Sequence, residues 1–241
     1  MKGWNVRPSD WNLGVSLARQ IGPRSALEVT YTRRSFHGFS VVDNRALQPA
    51  DLTRFSLVAP EDPRLPGGGG YVVPGLYDVV PEKAGQVDNL VTDSSTFGSW
   101  WQRFNGIDLN VNARLGSDFL FVGGTSTGQT VADNCDVRGH LPELATTTTG
   151  TSAFGAGLLA SAVTPLSPYC HAGYGILTQF RGLTSYLLPK AGVQLAAIFQ
   201  SKPGAMLAAN YAVPNTVIAQ TLGRLPSGNV TNVTINLVKP G

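Results

Sequence analysis

The chain has 241 residues, 18 of them Lys or Arg and 15 Asp or Glu, for a net charge of +3. Charged residues make up 14%, well under the roughly 25% of soluble domains, and the basic residues are scattered, so no basic stripe points to nucleic acid. No run of about 18 apolar residues occurs, which excludes a helical membrane span; low charge, abundant Gly, Thr and Asn, and apolar residues in alternation suit a β-protein with two unlike faces.

Residues Met1 to Pro8 carry no apolar core of a signal peptide, which predicts either a cytoplasmic chain or an internal piece of something longer. Alternation begins at Trp11. Trp11, Leu13, Val15 and Leu17 are interleaved with Asn12, Gly14, Ser16 and Ala18, then Gly22-Pro23-Arg24 turns the chain. Leu27, Val29 and Tyr31 return it, opposite Glu28, Thr30 and Thr32. This is a hairpin over about 11–33. Residues 38–104 then read as a long loop, with Pro, Gly, Asp and Asn throughout and the run Gly67 to Gly70.

The strongest strand signal follows. Ile107, Leu109, Val111, Ala113 and Leu115 alternate with Asp108, Asn110, Asn112 and Arg114, a strict period of two. Gly116-Ser117-Asp118 turns the chain into Phe119, Phe121 and Gly123, giving a second hairpin over 105–128. A long loop over 129–175 includes the Thr146 to Thr149 tract. A third hairpin spans 176–200, with the turn Pro189 to Gly192 between Tyr186 and Val193. Residues 201–229 read as a further loop, and a seventh strand is expected near Val230 to Val238.

Short turns alternating with long connections are the pattern of an outer-membrane barrel, whose short turns lie on the periplasmic side and long loops outside. The expected fold is therefore all-β: an antiparallel up-and-down sheet, a partial outer-membrane β-barrel with long extracellular loops. The Asp108, Asn110, Asn112 and Arg114 face would be lumenal, and Trp11, Tyr31 and Tyr186 would sit at the membrane interface. A soluble sandwich with one wet face also alternates and is the competing architecture.

Several residues are candidates for chemistry or binding. Gly124-Thr125-Ser126-Thr127-Gly128 fits the nucleophile-elbow pattern, with Ser126 as nucleophile and Asp133 and His140 or His171 as partners, but the helix that pattern requires does not follow. Cys135 and Cys170 lack metal-ligand spacing and read as a disulfide closing the 133–171 loop. In that loop Asp133, Asp136 and His171, with Trp100 and Trp101 before the second hairpin, form the candidate ligand-binding surface. Glu143 joins the acidic residues as a calcium option; no zinc spacing occurs. The Gly67 to Gly70 run lacks the Lys-Ser/Thr of a phosphate loop, and the sequons at Asn229 and Asn232 carry no argument. No cofactor is indicated.

Some phrases resemble a known family. Val6-Arg7-Pro8-Ser9-Asp10-Trp11, Tyr31-Thr32-Arg33-Arg34, Val42-Asp43-Asn44-Arg45, Asp62-Pro63-Arg64-Leu65-Pro66 with its glycines, Asn105-Gly106-Ile107-Asp108, Asp133-Asn134-Cys135, Pro168-Tyr169-Cys170-His171 and Asn232 to Val238 are similar to the C-terminal barrel of Oar-like TonB-dependent receptor proteins with a carboxypeptidase-regulatory-like domain. The resemblance implies a bacterial outer-membrane receptor or transporter, in contact with outer-membrane lipid and coupled to the TonB system through other parts of the parent protein. It implies a plug inside a barrel of about 22 strands, so six or seven strands predict a fragment that supplies wall and ligand-binding loops and is not an enzyme. The alternatives are a secreted β-rich serine hydrolase using Ser126 and a soluble sugar-binding sandwich.

Overall fold

The computed structural model describes residues 8–145, 168–173, 175–204, 208–228 and 231–239; the Thr146 to Thr149 tract and Asn229 lie outside them. In chain order the elements are β1 (Ser9–Gly22), β2 (Ser25–His37), β3 (Ser40–Asn44), β4 (Leu52–Val58), β5 (Val72–Val79), β6 (Asn89–Asp93), β7 (Trp101–Leu115), β8 (Phe119–Asp133), α1 (Cys135–His140), β9 (His171–Gly173), β10 (Leu177–Leu188), β11 (Val193–Ser201), β12 (Asn210–Pro214), α2 (Asn215–Leu222) and β13 (Asn232–Asn236). The fold is antiparallel all-β, with two unlike parts: a wall and a cap.

The wall is one sheet in the order β1-β2-β7-β8-β10-β11, with β9 paired to the end of β8. The hairpins β1–β2, β7–β8 and β10–β11 are each closed by a short turn, all three at the same end of the sheet. Pro23 lacks an N–H and fixes its own φ, which stops β1; Gly116 and Gly192 take φ of 65° and 62°, open to glycine without steric cost. Arg24 Nη1 donates to Gly116 O at 3.0 Å, binding the first two turns together.

Register decides the faces. Leu17 pairs with Val29, Val29 with Leu109, Leu109 with Thr125, and Thr125 with Phe180. The next row joins Val15, Tyr31, Ile107 and Thr127. All these side chains lie on one face, because a strand alternates with period two. The other face carries Ser16, Thr30, Asp108 and Ser126 in register. It is not wholly polar: Val122, Leu183 and Ile198 form an apolar strip toward β11. Rows also climb across the sheet. The row beginning at Arg19, near the turn end of β1, reaches Phe199 near the opposite end of β11. Such a stagger is what closing a sheet into a barrel demands. Here the sheet stays open, and β1 and β11 are its two edges among the described residues.

The cap lies at the end opposite the turns and holds the hydrophobic core. Segments expected to be plain loops contain the hairpin-like pairs β3–β6, β4–β5 and β12–β13. Phe55, Leu57, Val73 and Leu76 of the 52–80 region pack on Val213, Ile218, Val233 and Ile235 from the chain's far end. The expected seventh strand thus forms as β13 but pairs with β12 in the cap, not with the wall. These short strands escape a sequence reading because their apolar residues are buried against distant segments, and no local period marks them. Among the described residues no helix is long and apolar enough to cross a membrane.

Candidate functional site

Wall and cap meet where β7, β8 and β9 end. Trp101 pairs with Asp133, and Asp133 with His171, so one row carries an indole, a carboxylate and an imidazole. His171 Nδ1 lies 2.7 Å from Asp133 Oδ2, while Asp133 Oδ1 accepts from the Cys135 N–H at 2.9 Å. The Cys135–Cys170 disulfide holds both strands' ends, helped by the Asn134 N–H donating to Cys170 O at 3.0 Å. Trp101 meets His171 edge-on with centroids 6.4 Å apart, and the Arg103 guanidinium lies 4.8 Å over the Trp101 ring. Such a cation on an indole face is attracted by the ring quadrupole.

The remaining candidates separate from this group. Trp100 turns the other way, stacks on Phe39 at 4.7 Å, and packs on the small core of Val41, Val137 and Leu141. Asp136 braces the turn before β7: the Ser99 N–H donates to its Oδ2 at 2.7 Å, and His140 Nδ1 lies 3.0 Å from its backbone oxygen. A Cβ on Gly98 would fall 2.6 Å from that carboxylate, which keeps the position a glycine. Ser126 lies seven residues below Asp133 on β8, roughly 23 Å at about 3.3 Å per residue, and on the opposite face. It sits across from Asp108 and Gln179, so the elbow motif does not bring serine, histidine and aspartate together. Among the described residues no cluster of three or more His, Cys, Asp or Glu is placed to hold a metal ion.

The mixed polar face is concave. Two hollows of about 740 Å³ and about 730 Å³ lie along it. Ala18 of β1 and Gln200 of β11 line the first; Asn12 and Lys202 line the second. Both edges of the sheet therefore curl toward the same groove. Arg34 and Asp10 pair at 2.6 Å between the adjacent strands β2 and β1 on this face, Ser16 and Thr30 share a hydrogen bond of 2.8 Å, and Arg181 reaches Asn110 at 3.5 Å. Phe104 lies over the paired Gly106 and Gly128; a Cβ on Gly128 would come 2.6 Å from its ring. Glycine here makes room for an aromatic on the groove floor.

The opposite, convex face is largely apolar in mid-wall, with Arg19 at the β1 edge of the Leu27–Val111 row and a hollow of about 410 Å³ among Leu109, Val111, Phe121, Phe180 and Phe199. Along β7 the outward side chains run from Ile107 to Leu115, about 26 Å of strand at about 3.3 Å per residue. None of the large outward side chains of the mid-wall is buried. Trp11 and Trp101 mark the cap end of this band, with Tyr31 two rows below Trp11, its hydroxyl donating to Asn105 Oδ1 at 3.0 Å. Phe119 and Tyr186 pair near the turn end.

No protein-family model, curated protein or solved structure matches the chain. The functional reading therefore rests on these faces. Sequence parity alone already sorted residues within a strand. It missed Arg34 with Asp10, which depends on the exact register of the first hairpin, and Arg33 beside Arg103, which depends on pairing across a 60-residue connection whose internal strands are not marked by periodicity.

Proposed function

We propose that this chain is a stretch of outer-membrane β-barrel wall with its external cap, part of a TonB-dependent receptor-type protein of the bacterial outer membrane, and that it binds ligand without catalysing a reaction. The observation that carries this reading is the convex face. A largely apolar band about as tall as nine to eleven tilted residues require, with aromatics toward both ends and covered by no other described element, suits hydrocarbon; Arg19 at the β1 edge is its one charged side chain among the mid-wall rows. Exposed to water it would be costly: each fully buried Leu, Val or Phe gains roughly 1.5–3 kcal/mol. The concave face with its hydroxyls, amides and paired charges suits a wet lumen, and the staggered register suits closure with further strands along β1 and β11, since open strand edges do not persist in lipid.

In this reading the disulfide-tied junction and the cap face the outside, where the external ligand is met, while the short turns face inward. A soluble sandwich would need a second layer over the convex face. The test is refolding from urea into phospholipid vesicles or into plain buffer. The expected result is β-structure that resists alkaline extraction in vesicles and aggregation in buffer. A stable, water-soluble, monodisperse chain would sink the proposal.

A further inference from the structure

We infer that Arg33 and Arg103 form a binding site for the phosphate of an anionic membrane lipid, at the cap-side edge of the apolar band; the inference rests on the wall reading above. Arg33 pairs with Asn105 and Arg103 with Ser35, so the two arginines are diagonal neighbours on adjacent strands of the convex face. Diagonal positions in an antiparallel pair lie roughly 7–8 Å apart at the backbone, within the common reach of two guanidinium groups. Both are exposed.

What distinguishes them from the other arginines of the chain, Arg19 of the same face included, is that they neighbour each other while neither is committed to a carboxylate. Arg34 is committed to Asp10, Arg45 to Asp88, Arg64 to Asp62 and Arg224 to Asp78. Arg33 and Arg103 make no ion pair within the described residues. Asp133, on the same face, is occupied by His171. Arg103 instead rests on the Trp101 ring while remaining exposed. Ser35, Asn105 and Gln129 supply further polar groups in the neighbouring register positions.

Position supplies the ligand class. Leu13 lies beside Arg33 in the same row, and Tyr31 and Ile107 of the apolar band lie one row below; above the pair begins the cap. A ligand here has its tail along the convex face and its anionic group at the band's edge, where a lipid phosphate resides. Two planar guanidinium forks match phosphate oxygens in a way that ammonium groups do not. Free phosphate would meet the same groups but gain nothing from the band.

The test uses the full chain in vesicles of phosphatidylcholine with and without phosphatidylglycerol, with retained lipid read by native mass spectrometry after detergent extraction. Phosphatidylglycerol should be retained selectively, and an R33Q/R103Q double variant should bind it about 25-fold more weakly, about fivefold for each arginine. Arg114→Gln, on the concave face near the turns, should leave retention unchanged. Displacement by inorganic phosphate at the concentration that displaces the lipid would overturn the lipid assignment. A chain that inserts and resists alkaline extraction but shows no preference for phosphatidylglycerol overturns this inference and leaves the wall intact. A chain that does not insert overturns both.

Discussion

Asp78 and Arg224, 146 residues apart in sequence, meet in an ion pair that fastens β5 to the segment following α2. Asp78 is fully buried. Its carboxylate also accepts from the Ser227 N–H at 3.1 Å, while Arg224 Nη2 donates to Val79 O at 2.8 Å. The clasp joins the two halves of the cap core that Leu76 and Ile218 fill. Arg224 keeps a quarter of its side chain exposed, so the partners are unequal. Arg224→Met strands a buried carboxylate and should cost about 3–5 kcal/mol of cap stability; Asp78→Asn should cost less, because the arginine left behind still reaches water. Chemical unfolding followed by near-ultraviolet circular dichroism measures both, and equal losses would contradict the inequality.

The Cys135–Cys170 bridge spans 35 residues. Closing a loop of that length stabilises by about 3–4 kcal/mol in the chain-entropy view. Replacing both cysteines by serine should loosen β9 and the His171–Asp133 contact first. Hydrogen exchange should then rise at Ala172 and Asn134 while the middle of β7 stays protected. Unchanged exchange at β9 would mean that the pairing with β8 holds the junction without the bridge.

Glycines along β1 and β8 should respond oppositely to alanine. A Cβ at Gly124 would meet the backbone oxygen of Leu109, which cannot swing away, whereas a Cβ at Gly14 meets nothing within 4 Å. Gly124→Ala should cost at least about 1–3 kcal/mol through forced backbone shifts. Gly14→Ala should be neutral or stabilise by about 0.4–1 kcal/mol through the unfolded chain. Urea unfolding from vesicles compares them directly.

Burial holds the Glu143 carboxyl above its usual range, and the nearby Asp43 charge adds to this against backbone hydrogen bonds that lower it. A raised folded-state value means a contribution fully present below the ordinary 4.5 and lost as pH rises through the folded value. Cap stability should therefore fall as pH climbs from 4.5, and Glu143→Gln, which never ionises, should remove that slope. Thermal unfolding of the cap across this window checks it. A slope that survives in the variant assigns the dependence to another group.

The wall was legible because its physics is local. Strict alternation from Ile107 to Leu115 and the turn residues Pro23, Gly116 and Gly192 act within a few residues, and each sets the face or the reversal directly. The cap was not. Val73 and Ile235 are buried only by each other's neighbourhood, and nothing in either segment states that partnership. The candidate site divides along the same line: Cys135, Cys170, Asp133 and His171 come together, while Trp100 and Trp101 are adjacent in sequence yet face apart. Their separation follows from strand parity, but which one faces the core depends on the distant Val41 and Val137.

The central claim is that the convex face meets lipid and the concave face meets water, and alternation along β7 tests it most directly. Single cysteines replacing Ile107, Asp108, Leu109, Asn110, Val111 and Asn112 in turn, labelled with a fluorophore in vesicles, report both environments. Brominated lipid should quench the labels at 107, 109 and 111, and aqueous iodide those at 108, 110 and 112. Uniform quenching by iodide, or odd positions shielded from both quenchers, would contradict the account and favour a soluble layered fold.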